Sequence, residues 1–91
     1  MENHNVIKLQ LTDRYTLSLA QGDATSFVTD YAEVAMWDEK QKSFVSPYEW
    51  CMSFVGDEYE HDVIGGIDAY ELADLLLLAK QWVMTKGYEY F

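Results

Sequence analysis

The chain has 91 residues, of which 49% are hydrophobic and 15% aromatic, enough for one hydrophobic core and too few for two. Sixteen acidic residues against six basic ones give a formal net charge of −10. A field of this sign repels nucleic-acid phosphates and anionic lipid head groups, and it attracts basic proteins. We therefore predict a single domain over residues 1–91 that binds neither nucleic acid directly nor membranes.

The single cysteine, Cys51, excludes a disulfide within the chain. It stands between Trp50 and Met52, so we expect a buried thiol rather than a reactive one. The first five residues lack the basic start and apolar core of a signal peptide, and no apolar run approaches the ~20 residues of a membrane span. These features favour a cytoplasmic location.

The first half of the chain has the alternating pattern of half-buried strands. Ile7, Leu9 and Leu11 alternate with polar residues, as do Leu17 and Leu19 after a turn at residues 13–14, and this pattern predicts a β-hairpin. A polar loop at residues 21–26 precedes a third strand at 31–37, and residues 38–42 form a charged turn.

The next segment predicts two further strands. A short strand over 43–45 is interrupted by Pro47, and apolar residues then alternate over 48–55, from Tyr48 to Phe54. Gly56 and Asp57 indicate a turn. A fifth strand over 60–65 would complete a meander.

The C-terminal part predicts one helix. Asp68 and Glu71 have the spacing of a capping box, and Lys86 and Gly87 are typical of a helix end. Apolar residues at helical spacing should pack on the sheet, namely Leu72, Ala73, Leu76, Ala79 and Val83, and Leu75, Leu77 and Leu78 widen this stripe. An aromatic tail follows at 88–91. The predicted fold is α+β, an antiparallel β-meander of four to five strands with one C-terminal helix packed on the sheet.

The negative charge is concentrated in one part of the chain. Residues 43–79 contain eight acidic residues and no lysine or arginine. Asp68 and Glu71 have a structural explanation as helix caps. Glu58, Glu60 and Asp62 have none, because like charges on one face of the predicted strand repel each other.

The strand-to-helix corner should therefore present a compact acidic surface that includes tyrosines. Carboxylates bind Arg and Lys, and aromatic side chains add contact area. The predicted partner-binding residues are Asp57, Glu58, Tyr59, Glu60, Asp62, Tyr70 and Asp74.

The sequence lacks a complete set of residues for catalysis or for a metal site. His61 among the carboxylates at 57–62 does not fit the spacing of an EF-hand, and it forms no zinc pattern with His4. Cys51 with His61 lacks an orienting group for nucleophilic catalysis. Asp30 with Asp38-Glu39-Lys40 loosely resembles a nuclease motif but lies at a charged turn. We expect no catalytic residue, no metal and no cofactor, and we expect Trp37, Trp50 and Trp82 to belong to the core.

In size and charge the chain resembles small acidic inhibitors, namely immunity proteins of nuclease toxins and phage-encoded anti-CRISPR proteins. The resemblance rests on class properties and on no shared motif. It implies a non-catalytic protein that inhibits or masks a basic partner, a nuclease or a nucleic-acid-binding protein. Imitation of nucleic-acid charge is one way in which such a protein would act. The alternative is an assembly module, with the chain a monomer or small homo-oligomer that associates through a β-edge or the aromatic tail.

Overall fold

A computed structural model describes residues 5–21 and 32–86 of the chain. Several predicted features lie outside these residues, namely most of the polar loop at 21–26, Asp30, Tyr31, Gly87 and the tail at 88–91. The described elements in chain order are β1 (Asn5–Gln10), β2 (Tyr15–Gln21), β3 (Ala32–Asp38), β4 (Ser43–Val45), α1 (Pro47–Val55), β5 (Ile64–Ile67) and α2 (Ala69–Lys86). The predicted α+β class, with an antiparallel sheet and a C-terminal helix, is confirmed.

The N-terminal hairpin forms as its alternation predicts. Strands β1 and β2 pair antiparallel, with Leu9 opposite Leu17. The Thr12 hydroxyl oxygen accepts hydrogen bonds from the backbone N–H groups of Arg14, at 3.1 Å, and Tyr15, at 3.0 Å. This local side-chain bonding closes the turn between the two strands.

Strand β3 is the centre of the sheet. One of its edges pairs with β2, and the other pairs first with β5 and then with β4. Strand β5 therefore adds to β3 rather than extending the meander beyond β4. It also begins at Ile64, so the strand predicted at 60–65 is displaced toward the C-terminus. One extra residue of β5 bulges opposite β3, where Gly66 has a φ of 68° that favours glycine.

The strand predicted at 48–55 is wrong, because this segment forms helix α1. Ser46 has extended backbone angles, and its hydroxyl oxygen accepts a hydrogen bond from the N–H of Tyr48 at 3.2 Å. Pro47 follows at the first helical position, where its missing N–H costs nothing. Pro47, Trp50 and Cys51 are buried, which is the three-to-four spacing of a helix face.

Helix α2 supplies one side of the hydrophobic core. Its buried line is Leu75, Ala79 and Val83, which belong to one cluster with sheet residues such as Leu17 and Met36. Most of the predicted stripe is confirmed, because Leu72 and Leu78 also pack against this cluster. Ala73, Leu76 and Leu77 were wrongly included in it, since all three are exposed.

The start of α2 is fixed by the predicted capping box. The N–H of Glu71 donates to the Asp68 carboxylate at 2.8 Å, and the N–H of Asp68 donates to the Glu71 carboxylate at 3.2 Å. Both carboxylates also lie at the positive end of the helix dipole. Two of the eight acidic residues of the lysine-free stretch are thus used by the fold.

Candidate functional site

The residues between α1 and β5 form a strongly acidic loop, defined here as residues 57–62. Four of its six side chains are carboxylates, those of Asp57, Glu58, Glu60 and Asp62, and all four are exposed. The prediction that three of them share one face of a strand is wrong, because these residues precede β5. Their arrangement is that of a connecting loop.

Tyr59 anchors the acidic loop to the protein. Its side chain is partly buried and packs against the core, and its hydroxyl donates to the backbone carbonyl of Val63 at 2.6 Å. Its ring also contacts that of His61 edge to face, with centroids 5.5 Å apart. Such contacts hold the middle of the loop while the carboxylates on either side point into solvent.

The loop carboxylates have no ionic partner within residues 5–21 and 32–86. All six basic residues fall in these ranges. The ion pairs found there join Arg14 to Asp38 and Lys42 to Glu39, both outside the acidic loop. Within these ranges the loop carboxylates therefore form no ion pair, although Asp62 lines the same cleft as Lys86.

The structure separates the predicted binding residues into two groups. Asp62 lines an open cleft of about 350 Å³ together with Trp82 and Lys86, which belong to the C-terminal end of α2. Tyr70 and Asp74 lie in the first two turns of the same helix. From Tyr70 to Lys86 the axis rises about 24 Å. Asp62 therefore lies near the end of α2 opposite to Tyr70 and Asp74.

The cleft contains a structural ion pair that sequence reasoning missed. Arg14 donates two hydrogen bonds to Asp38, from Nε to Oδ1 at 2.8 Å and from Nη2 to Oδ2 at 2.9 Å. Oδ1 also accepts from the N–H groups of Lys40, at 3.0 Å, and Gln41, at 3.3 Å. Hydrogen bonding from Arg14 holds the pKa of Asp38 below its ordinary value, and the two backbone donors act in the same direction.

The Arg14–Asp38 ion pair can be predicted from the sequence only when the register of β2 against β3 is known. Asp38 stands opposite Tyr15 in the β2–β3 ladder, next to the turn that carries Arg14. The Asp38-Glu39-Lys40 segment that resembles a nuclease motif is thus part of a turn with its aspartate engaged in an ion pair.

The surroundings of Cys51 and of the three tryptophans can be compared with the expectations for these residues. Cys51 is buried, and desolvation raises the pKa of its thiol to about 12. Trp50 is buried in the core, and Trp82 packs against it with its ring edge to face against Tyr15 at 4.8 Å. The expectation that Trp37 belongs to the core is wrong, because Trp37 is half-buried outside the core cluster, with its ring against Phe44 at 5.1 Å. No cluster of three or more potential metal ligands occurs in the described ranges.

Comparisons of the chain with protein families, curated proteins and solved structures find no match in any of the three. Neither helix in the described portion combines the length and apolar character needed to cross a membrane. The most distinctive feature of the described structure is the acidic loop, with its four exposed carboxylates.

Proposed function

We propose that this protein is a non-catalytic binding protein whose acidic loop masks a basic partner, a nuclease or a nucleic-acid-binding protein. The observation that carries the proposal is the state of the loop: four exposed carboxylates within six residues, without an ionic partner in the described structure. Such a surface is suited to bind a protein whose own site is lined by arginine and lysine.

The energetics of the loop favour binding to a charged surface. Exposed carboxylates repel one another, so a partner that supplies cations relieves this repulsion on binding. The Tyr59 anchor restrains the loop before binding, which lowers the conformational entropy lost in the complex. Closely spaced negative charges also resemble a nucleic-acid backbone, so the loop would compete with DNA or RNA for the partner.

Affinity capture from the native host tests the proposal and identifies the partner. The loop variant combines Glu58→Lys, Glu60→Lys and Asp62→Lys. At about 1 kcal/mol per lost charge pair, it should bind the captured protein roughly a hundredfold more weakly. The recovered partner should bind nucleic acid, and the wild-type protein should displace that nucleic acid.

A control of equal charge separates the acidic loop from the net charge of the chain. Asp13→Lys, Glu33→Lys and Glu49→Lys change three exposed carboxylates outside the loop by the same total charge. This control should keep binding close to that of the wild type. Equal losses in both variants, or binding unchanged between about 50 and 500 mM salt, would contradict a role for the loop charges.

A second candidate function is that of an assembly module, favoured by the exposed edge of β1. In the described sheet β1 pairs with β2 alone, and Val6 and Ile7 on this edge strand are 51% and 56% exposed. Unpaired edges with apolar side chains are sites of strand addition. Light scattering of the wild type, of Ile7→Lys and of a chain lacking residues 88–91 tests the edge and the tail separately.

A further inference from the structure

The face of the sheet that points away from the core carries a cavity. The core cluster includes the buried residues of both helices, and Leu17, Met36 and Val45 contribute to it from one face of the sheet. The residues that alternate with these three point to the other face. A cavity of about 340 Å³ lies there. We define the outer-face cavity by its lining residues, namely Lys8, Thr16, Ser18, Trp37, Glu39 and Phe44.

Two aromatic rings form one wall of the outer-face cavity. Trp37 and Phe44 stand opposite each other on β3 and β4, with ring centroids 5.1 Å apart and ring planes at 79°. The indole N–H of Trp37 donates to the Glu39 carboxylate at 3.0 Å, and Lys42 pairs with the same carboxylate. These contacts restrain the Trp37 ring before any ligand binds, which lowers the entropy that binding costs. Because neither ring belongs to the core, the wall is an ordered apolar surface at the exterior of the protein.

The other side of the cavity is polar and carries one cation. Lys8 stands directly opposite Ser18 in the β1–β2 ladder, and Thr16 lies two residues from Ser18 on the same face. One ammonium and two hydroxyl groups can donate hydrogen bonds to a single anionic group. Within residues 5–21 and 32–86 none of these three side chains forms a hydrogen bond or an ion pair. Their donors are therefore available to a ligand.

We propose that the outer-face cavity binds a small aromatic acid, a molecule of one or two fused rings that carries one carboxylate on a short chain. The ring packs against Trp37 and Phe44, and the carboxylate accepts hydrogen bonds from Lys8 and the hydroxyls of β2. Two strand spacings and a step of two residues separate the Cα atoms of Lys8 and Trp37, about 12 Å, which a lysine side chain and such a ligand span together. The cavity volume lies at the lower end of the range for small-molecule sites, which suits a ligand of this size.

The charges of the chain favour this ligand class over others that contain rings. A net charge of −10 repels nucleotides and nucleic acids, which carry several phosphate charges, more strongly than it repels a single carboxylate. Of the two charged side chains in the described lining, Glu39 already pairs with Lys42, so the charge of Lys8 is the one left for a ligand. One cation matches one carboxylate, whereas a neutral sugar would leave Lys8 without a partner.

The outer-face cavity shares no residue with the acidic loop. A ligand bound there would therefore be a function beyond the proposed masking of a basic partner, and the two proposals can fail separately. The loop variant with lysines at 58, 60 and 62 should bind the aromatic acid at least as well as the wild type, because it changes no lining residue and reduces the negative charge of the chain.

Titration of the full chain with indole-3-propionate tests the proposal, with the NMR signal of the Trp37 indole N–H as the readout. We expect saturable binding with a Kd of about 1 mM or below. Indole-3-propionamide has nearly the same shape without the charge. It should bind about tenfold more weakly, because it loses the charge-assisted hydrogen bond to Lys8.

Three variants assign the parts of the site. Lys8→Gln should bind the acid about tenfold more weakly and the amide unchanged, so that the two ligands bind alike. Lys80→Gln removes the same charge on α2, outside the cavity, and should bind both ligands as the wild type does. Phe44→Ala should weaken both ligands by a similar factor, because it removes part of the aromatic wall and no charge. All three side chains are exposed, so the fold should be retained, and circular dichroism checks this.

Several results would overturn the proposal. One is a Trp37 signal that does not move at about 10 mM indole-3-propionate, ten times the expected Kd. Equal affinity for the acid and the amide in the wild type is another, and so is an equal loss of affinity in Lys8→Gln and Lys80→Gln, because each would remove the specific role of Lys8. Methyl β-glucoside that moves the same signal at lower concentration than the acid would assign the cavity to a sugar instead.

Discussion

Two acidic regions of this protein use the same carboxylate group in opposite ways. Asp38, at the end of β3, is only 6% exposed, and its oxygens accept hydrogen bonds from Arg14, Lys40 and Gln41. The carboxylates of the acidic loop at 57–62 are exposed and accept no hydrogen bond in the described structure. The first region joins a turn to the sheet, and the second leaves its charge to solvent.

The difference shows what distinguishes a structural charge from one available to a partner. A buried carboxylate is tolerated only when donors replace the water it has lost, so its removal leaves those donors unsatisfied. An exposed carboxylate keeps its water and contributes little to folding. Removing the carboxylate of Asp38 should therefore lower the free energy of unfolding much more than removing the carboxylates of the acidic loop.

Removal of the Asp38 carboxylate should have the largest effect. We expect Asp38→Ala to lower the free energy of unfolding by about 2–4 kcal/mol, because the guanidinium of Arg14 and two backbone N–H groups lose their acceptor. Urea denaturation measures the change. Asp13→Ala, an exposed carboxylate next to Arg14, is the matched control and should change stability by less than about 0.5 kcal/mol.

Acid should remove the same contribution in the wild type. The pKa of Asp38 is lower in the folded chain than its ordinary value of 3.8, so the unfolded chain binds the proton first as the pH falls. The stabilisation is complete above this value and decreases as the pH falls toward the folded pKa. Denaturation between about pH 5 and 2 should show a steeper loss for the wild type than for Asp38→Asn. Parallel curves would show that the carboxylate is not coupled to folding.

The helix cap should give an intermediate effect. Asp68 is partly exposed, and its carboxylate satisfies one N–H at the start of α2. Asp68→Ala should cost about 1 kcal/mol, whereas Asp68→Asn, which keeps the cap acceptor, should cost less. Thermal unfolding followed by circular dichroism distinguishes them. Equal losses in both variants would indicate that charge rather than hydrogen bonding holds the cap.

The sequence predicted those elements whose signals are local. Alternation identified the hairpin and β3, and the capping box at Asp68 and Glu71 located the start of α2. Helix α1 was missed because its apolar residues satisfy the two-residue period as well as the helical one. Its start was signalled by Ser46 and Pro47, which are typical of a helix N-terminus when read together.

The candidate site was predicted in composition but not in shape. The exposed carboxylates at 57–62 follow directly from the lysine-free stretch. The separation of Asp62 from Tyr70 depends on where β5 begins and on the direction in which α2 crosses the sheet. The Arg14–Asp38 pair depends on the register of β2 against β3. These are long-range properties that no local pattern encodes.

The smallest effect on stability should come from the acidic loop itself. Glu58→Gln, Glu60→Gln and Asp62→Asn together should leave the free energy of unfolding within about 0.5 kcal/mol of the wild type, or raise it slightly through reduced repulsion. Urea denaturation at low and high salt measures this free energy, and any gain in stability should vanish at high salt. A loss of more than about 1 kcal/mol would show that the loop carboxylates serve the fold, as Asp38 does. Stability without these charges would mean that the fold does not require them, which is the result expected if the loop carboxylates serve the proposed masking of a basic partner rather than the fold.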